Sequence, residues 1–168
     1  MFLIYQVLLT LIILISPLII FIRVLKNKED KKRVLEKFCL KSKKRAKGKL
    51  IWFHGSSVGE IMSIIPLVHY YEKEKSINKI LITSSTLSSS KILDRFNLKK
   101  TIHQFYPIDH LLITRKFINY WKPCIAIFID SEIWPSMFKT IRKREIPLIL
   151  LNARITKKTF RRWIKFKN

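Results

Sequence analysis

Glu60 follows a segment that is predicted to pass from a buried strand into a helix, and its carboxylate could serve as a general base. Residues 52–60 read WFHGSSVGE. The apolar run 50–53 is typical of a strand that is covered on both faces, and Gly55 and Gly59 allow the backbone to turn sharply. Glu60 then falls in the first turn of the next helix, beside unpaired backbone N–H groups. There it either offsets the helix dipole or takes a proton from a substrate, and the spacing leaves both roles open.

The segments that must position this glutamate alternate along the chain after residue 50. Short apolar strands alternating with helices predict right-handed βαβ units and an α/β fold with a parallel, Rossmann-like sheet. The predicted strands are Leu50–Phe53, Lys79–Thr83, Ile102–Tyr106, Ile125–Ile129 and Leu148–Leu151. The predicted helices are Glu60–Lys75, Ser88–Asn97, Asp109–Trp121 and Pro135–Arg144, with a further one between Phe160 and Lys167. Pro66 is expected to end, kink or widen the first of these helices.

Polar residues follow every predicted strand. The five polar loops read SSVGE at 56–60, TSST at 83–86, YPID at 106–109, DSE at 130–132 and NAR at 152–154. Because the carboxyl ends of parallel strands meet at one edge of a sheet, the loops predict a polar crevice there. Neither GxGxxG nor GxxxxGK[ST] occurs, so neither a dinucleotide fingerprint nor a P-loop is supported.

The composition indicates a folded, basic chain. Its 168 residues include 34 Lys and Arg against 11 Asp and Glu, which gives a formal net charge of +23. This excess favours a polyanionic partner, although scattered basic residues are also typical of a genome biased toward Lys and Ile. The aromatic residues lie in apolar patterns rather than between basic residues, which argues against nucleic acid. Cys39, Cys124 and the four histidines have no metal-ligand spacing, so plain thiols and no metal site are expected.

The amino terminus is typical of a membrane anchor. Residues 2–22 are apolar except at four positions, which are Tyr5, Gln6, Thr10 and Ser16. A run of about 20 such residues can cross a bilayer as a helix, and a cleaved signal is disfavoured because no basic residue precedes it and no small-residue cleavage site follows. Basic residues begin at Arg23, which predicts that the remainder stays in the cytoplasm. An anchor that lies in one leaflet remains an alternative.

These features divide the chain into a membrane anchor helix (1–25), a basic connector (26–49) and an α/β domain (50–168). The connector carries six basic residues between Lys41 and Lys49. A polybasic segment beside a membrane is expected to bind anionic lipid head groups, and it could equally be a solvated linker.

The order of the motifs resembles the amino-terminal half of the 3-deoxy-D-manno-octulosonic acid (Kdo) transferases of lipopolysaccharide synthesis. After the anchor and connector, the matching segments are WFH at 52–54, SVGE at 57–60, PL at 66–67, the Thr/Ser run from Thr83, YP at 106–107 with Asp109, EIWP at 132–135 and NAR at 152–154. The resemblance covers essentially the whole chain. It implies the acceptor domain of a GT-B glycosyltransferase, in which two Rossmann-like domains face each other across a cleft.

The resemblance also implies a reaction and a set of site residues. Glu60 would be the base that deprotonates a hydroxyl of the acceptor, a lipid A precursor (lipid IVA), which displaces CMP from the donor CMP-Kdo with inversion. No metal or cofactor is expected. Ser56, Ser57 and Gly59 would shape the turn. The remaining candidates are Asp130 and Glu132, which would orient the acceptor, and Arg154, which would contact an anion.

Simpler roles remain open for several of these residues. Glu132 could pair with a nearby lysine, Arg154 with a carboxylate at the sheet edge, and Trp134 is expected to pack in the core rather than to bind sugar. An alternative function for the chain is a non-catalytic, membrane-tethered basic module that binds anionic lipid.

The sequence departs from the family pattern in three places. Leu87-Ser88-Ser89 stands where a Thr-Gly pair is usual, and Asp130 and Ser136 stand where Glu and Asn are expected. The sequence stops at Asn168, where the family's donor domain would begin, so a truncated chain with little activity of its own is expected. CMP-Kdo would then bind only with a donor domain. The expected location is the cytoplasmic face of the bacterial inner membrane.

Overall fold

The computed structural model describes residues 2–40, 42–130, 132–154, 156–157, 160–161 and 164. An amino-terminal helix and a short 3₁₀ helix precede alternating strands and helices. The helices are α1 (Phe2–Leu25), the 3₁₀ helix (Val34–Phe38), α2 (Val58–Lys73), α3 (Leu87–Leu93), α4 (Leu111–Trp121) and α5 (Pro135–Lys143). The strands are β1 (Leu50–His54), β2 (Lys79–Ser84), β3 (Thr101–Phe105), β4 (Ile125–Ile129) and β5 (Leu148–Leu151).

The five strands form one parallel sheet in the order β3-β2-β1-β4-β5. The chain runs outward from β1 through β2 to β3, then returns to place β4 on the other side of β1. Consecutive residues of β1 point to opposite faces, so Trp52 packs with α4 and α5 while Phe53 packs with α2 and α3. The α/β fold predicted from the sequence is therefore confirmed, and the strand order changes direction between β1 and β4.

The predicted strands agree with the observed ones to within one residue at each end, because buried parallel strands stand out as short apolar runs. The helix ends are less well predicted. Helix α2 begins at Val58, two residues earlier than expected, and it continues through Pro66 to Lys73. The helix expected between Phe160 and Lys167 lies largely outside the described residues.

Helix α1 is long and apolar enough to cross a membrane by length and composition, with a mean hydropathy of 2.8 over its most apolar 18 residues. In the structure its first turns contact the α/β domain, and the remainder packs against the segment that contains the 3₁₀ helix. Its less exposed residues recur every three or four positions from one end to the other, at Phe2, Tyr5, Gln6, Leu9, Ile13, Ser16, Ile20 and Val24. One stripe of α1 therefore faces the protein over its whole length, toward the α/β domain at the first turns and toward the 3₁₀ helix beyond them.

The segment between α1 and β1 is tied to the edge of the sheet by a buried carboxylate. Glu36 of the 3₁₀ helix accepts a hydrogen bond from the backbone N–H of Phe105 at 2.9 Å. The same carboxylate pairs with Arg33 at 2.8 Å, and Arg33 also donates to the backbone carbonyl of His103 at 3.0 Å. These contacts fix the segment against β3.

Candidate functional site

The carboxylate of Glu60 is held in the first turn of α2 by the two serines that precede the helix. Ser57 is the N-cap residue, and its hydroxyl accepts from the backbone N–H of Glu60 at 3.3 Å and donates to Glu60 Oε1 at 2.7 Å. The backbone N–H of Ser56 donates to Glu60 Oε2 at 2.7 Å. This arrangement resembles a capping box, in which a carboxylate at the third helical position reaches back to the residues before the helix.

Glu60 therefore has the structural role of a helix-start carboxylate and also keeps capacity for chemistry. A carboxylate can accept about four hydrogen bonds, and the contacts to Ser56 and Ser57 use one on each oxygen. The side chain is partly exposed at the carboxyl edge of the sheet. Its position is fixed and it remains accessible from solvent, which are the two geometric needs of a general base.

The two glycines of the motif have different roles, and only Gly55 lies where the chain is crowded. A Cβ on Gly55 would come within 3.1 Å of the Cβ of Glu60 and 3.3 Å of Ile61 Cδ1, so a side chain there would press on the candidate base. Gly59 does not bend the chain as expected, because it lies inside the first turn of α2. A Cβ on Gly59 would meet only the hydroxyl of Ser57, at 4.0 Å.

His54 ends β1 in full burial, and its hydrogen bonds define its tautomer. Nδ1 lies 3.2 Å from the backbone carbonyl of Thr83 and 3.0 Å from Thr83 Oγ1. The Thr83 hydroxyl already accepts from Trp52 Nε1 at 2.9 Å. Because a carbonyl oxygen can only accept, Nδ1 carries the proton and Nε2 of the neutral ring is left with a lone pair.

Glu132 comes from the loop after β4 and faces this lone pair. Its Oε2 lies 3.6 Å from His54 Nε2 and accepts a hydrogen bond from Trp134 Nε1 at 3.0 Å. Burial lowers the pKa of His54, which keeps its ring neutral at neutral pH. At neutral pH a carboxylate and a bare imidazole nitrogen therefore face each other without a proton between them, which suits a ligand hydroxyl that donates to either one.

Two buried polar atoms of this site have no hydrogen-bond partner within the described part of the chain, namely His54 Nε2 and the hydroxyl oxygen of Tyr106. The ring of Tyr106 stacks on His54 with centroids 3.9 Å apart and packs against Trp134 at 5.2 Å. Trp134 is partly buried against the core, as expected. Sequence reasoning assigns no role to His54 or Tyr106, although a polar residue that closes an apolar strand is a usable signal.

The other predicted site residues lie further along the same edge. Asp130 has a left-handed backbone with φ of 55° and accepts a hydrogen bond from Asn152 at 2.6 Å, which joins the ends of β4 and β5. Arg154 is exposed beyond β5, two strands away from β1. The structure thus brings Glu60, Glu132 and the serines to the adjacent ends of β1 and β4, and it places Asp130 and Arg154 toward the β5 side.

Within the described residues, no three His, Cys, Asp or Glu side chains are grouped so that they could hold a metal ion.

The strand order and the polar residues at the β1–β4 reversal define a Rossmann-like domain with a ligand crevice at its switch point. This chain belongs to the Kdo transferase family, because residues 32–168 match the family described as 3-deoxy-D-manno-octulosonic-acid transferase (kdotransferase). Within that family the fold is the amino-terminal domain of a GT-B glycosyltransferase.

Curated relatives show the same affiliation. A 3-deoxy-D-manno-octulosonic acid transferase of Rickettsia bellii is 42% identical over 97% of this chain and 39% of its own length. A probable mitochondrial one of Arabidopsis thaliana is 38% identical over 89% of this chain and 34% of its own length. The enzyme of that name from Haemophilus influenzae is 28% identical over 70% of this chain and 27% of its own length. The chain therefore spans less than half of the length of these relatives.

Proposed function

We propose that this chain forms the acceptor side of a Kdo transferase and that Glu60 is the general base for the acceptor hydroxyl. The observation that carries the proposal is the carboxylate of Glu60, held by Ser56 N–H and Ser57 Oγ at 2.7 Å each while it stays accessible at the sheet edge. A fixed base loses little freedom when the acceptor binds, which favours reaction from the bound state. Gly59 adds no side chain over this surface.

In the proposed reaction a sugar hydroxyl of a lipid A precursor (lipid IVA) gives its proton to Glu60. The acceptor oxygen forms a bond to the anomeric carbon of Kdo, the bond from that carbon to the phosphate oxygen breaks, and CMP leaves with the electron pair. Attack from the face opposite to CMP inverts the configuration. We propose that CMP-Kdo binds only when a donor domain is present and that no cofactor takes part.

Glu132 and His54 are proposed to orient the acceptor. Glu132 Oε2 and His54 Nε2 are both acceptors at neutral pH and lie 3.6 Å apart, so a second sugar hydroxyl could donate to one of them. Such a contact satisfies a buried nitrogen that has no hydrogen-bond partner among the residues that the structure describes. Asp130 would support this edge through Asn152, and Arg154 is a candidate contact for a phosphate.

The proposed location is the cytoplasmic face of the bacterial inner membrane, with α1 as the anchor. The relatives include bacterial enzymes, and an apolar amino-terminal helix favours membrane association. A phosphorylated lipid acceptor resides in the membrane and carries negative charge, which suits a chain with a net charge of +23.

The test incubates the chain with CMP-Kdo and lipid IVA, alone and with a separately supplied donor domain of a relative, and measures product by mass spectrometry. We expect product only with the donor domain, and a loss of about 10²- to 10⁴-fold for Glu60→Gln, the usual range for removal of a general base. The matched control is Glu74→Gln, which changes a partly exposed carboxylate at the far end of α2, away from the site.

Three outcomes contradict parts of the proposal. Product from the chain alone removes the need for a donor domain. Full activity of Glu60→Gln removes Glu60 as the base. Lipid IVA binding without product, even with a donor domain that is active in its own enzyme, favours a lipid-binding module.

A further inference from the structure

Helix α1 presents two different faces. The inner stripe faces the α/β domain at the first turns and the 3₁₀ segment beyond them, and it includes three of the four polar residues at positions 2–22, namely Tyr5, Gln6 and Ser16. The opposite face carries thirteen large apolar side chains with exposed fractions from 43% to 76%. An apolar surface of this extent on a basic protein indicates a binding partner.

The amino-terminal end of α1 is hydrogen-bonded to the loop and helix beside the candidate site. The Tyr5 hydroxyl donates to Asp109 Oδ2 at 2.7 Å. Gln6 Nε2 donates to Ser136 Oγ at 2.7 Å, and Gln6 Oε1 accepts from the backbone N–H of Leu111 at 3.0 Å. Side chains near the first turns of α1 therefore lie against the carboxyl edge of the sheet.

The carboxyl-terminal end of α1 contacts the segment that follows it, which Glu36 and Arg33 tie to β3. Arg23 pairs with Glu29 at 2.8 Å, and Glu29 pairs with Lys37 of the 3₁₀ helix at 2.7 Å. Between the ends, an apolar cavity of about 580 Å³ lies between α1 and the 3₁₀ helix. The helix is thus held at both ends, which are about 36 Å apart for 24 residues.

We propose that α1 lies in the plane of one leaflet of an anionic bilayer, held by the α/β domain at its first turns and by the 3₁₀ segment beyond them, with its exposed apolar face among the acyl chains. This inference rests on the proposed membrane location and specifies its geometry. A helix that crossed the bilayer would carry Tyr5 and Gln6 to the far side, away from Asp109 and Ser136, and would lose every hydrogen bond at that end. An in-plane helix keeps them all.

The charges beside α1 fit lipid head groups. Basic residues follow the helix at Lys26 and Lys28, and Lys139 lies over the Phe2 ring at 4.0 Å at the other end. Basic side chains at both ends can reach phosphates at one membrane surface while their stems stay in the apolar layer. The arrangement also places the candidate site beside the lipid surface. Asp109 and Ser136, which bind Tyr5 and Gln6 of α1, lie in the loop and helix beside that site.

The test uses paired cysteines in membranes, in a Cys124→Ser background that retains the buried Cys39. Thr10 Oγ1 lies 3.4 Å from His110 Nε2, so Thr10→Cys with His110→Cys should be joined by a short bifunctional thiol reagent and shift in gel mobility. The control pair is Leu18→Cys with His110→Cys. Because Leu18 lies about 12 Å further along the helix than Thr10, this pair should not be joined and should show no shift. A spanning helix gives no shift for either pair.

A second measurement separates the geometry from the location. In spheroplasts of a bacterial host, Leu3→Cys should resist a membrane-impermeant maleimide added outside and should react after solubilisation in SDS. External labelling of Leu3→Cys in membrane-bound protein overturns the in-plane helix and leaves the membrane location standing. Recovery of the intact chain in the soluble fraction overturns both. Cross-linked dimers of Leu18→Cys alone would assign the apolar face to a second copy of the chain.

Discussion

At the scale of single residues, hydrogen bonds decide which histidine nitrogen carries a proton, and His103 shows this as clearly as His54. His103 Nδ1 faces Arg33 Nη2 at 2.9 Å, and a guanidinium can only donate, so Nδ1 accepts. Nε2 then donates to Ser84 Oγ at 2.9 Å. Burial, followed by the charges of Arg33 and Lys43, lowers the pKa of His103 from 6.5 to about 3.

This shift predicts a pH dependence of stability. Between pH 6.5 and about 3 the unfolded chain binds a proton at His103 that the folded chain does not, so the stabilisation is fully present above pH 6.5 and falls as the pH is lowered. The slope from this one group is about 1.4 kcal/mol per pH unit. His103→Asn, whose amide oxygen can still accept from Arg33, should lack that slope in urea unfolding measured from pH 7 to pH 4.

The control for this prediction is His69→Asn, because His69 is exposed on α2. It should unfold with the pH dependence of the parent chain. Parallel curves for His103→Asn and the parent would contradict the pKa assigned to His103.

At the scale of elements, Asp109 joins three parts of the chain. It lies in the loop between β3 and α4, and its carboxylate accepts from the backbone N–H groups of Ser136 and Met137 at 2.8 Å each. These are unpaired donors of the first turn of α5, whose N-cap residue Trp134 makes no side-chain cap. With the hydroxyl of Tyr5 as a third donor, one buried carboxylate holds α1, the loop and α5 together.

Asp109→Ala should therefore destabilise the fold more than loss of a single contact would. We expect a loss of about 1–3 kcal/mol in the free energy of unfolding, because two buried N–H groups lose their acceptor. Tyr5→Phe should cost about 1 kcal/mol, and the double variant less than the sum of the two. Denaturant unfolding in detergent of the parent chain, the two single variants and the double variant completes this double-mutant cycle. Strict additivity would show that Tyr5 does not contact Asp109.

The parts of this structure that sequence reasoning predicts are those that depend on local pattern. Buried strands stand out because Ile125–Ile129 and similar runs are apolar and short, and Glu60 stands out because it follows such a run. Contacts between distant residues leave no local pattern. The pairing of Asp130 with Asn152, the capping of α5 by Asp109 and the docking of α1 all depend on the strand order, which spacing alone does not fix.

At the scale of the whole molecule, the exposed apolar face of α1 predicts firm attachment to membranes. The chain should sediment with the inner membrane and resist both carbonate and high-salt washes, because burial of thirteen large side chains in lipid does not depend on charge. Deletion of residues 1–22 should release most of the protein. A chain that is extracted by salt alone would show that basic residues, and not α1, provide the attachment.

The position of β1 has a consequence for how the chain folds during its synthesis. β1 is the first strand to emerge from the ribosome, and it can pair at once with β2, which follows a single helix. Its other edge pairs with β4, where Ile51 meets Ile125, so that edge stays open until most of the domain has been made. An unpaired edge on an apolar central strand is prone to join a second chain. Expression at a reduced rate of initiation, which keeps nascent copies apart, should therefore raise the yield of folded protein.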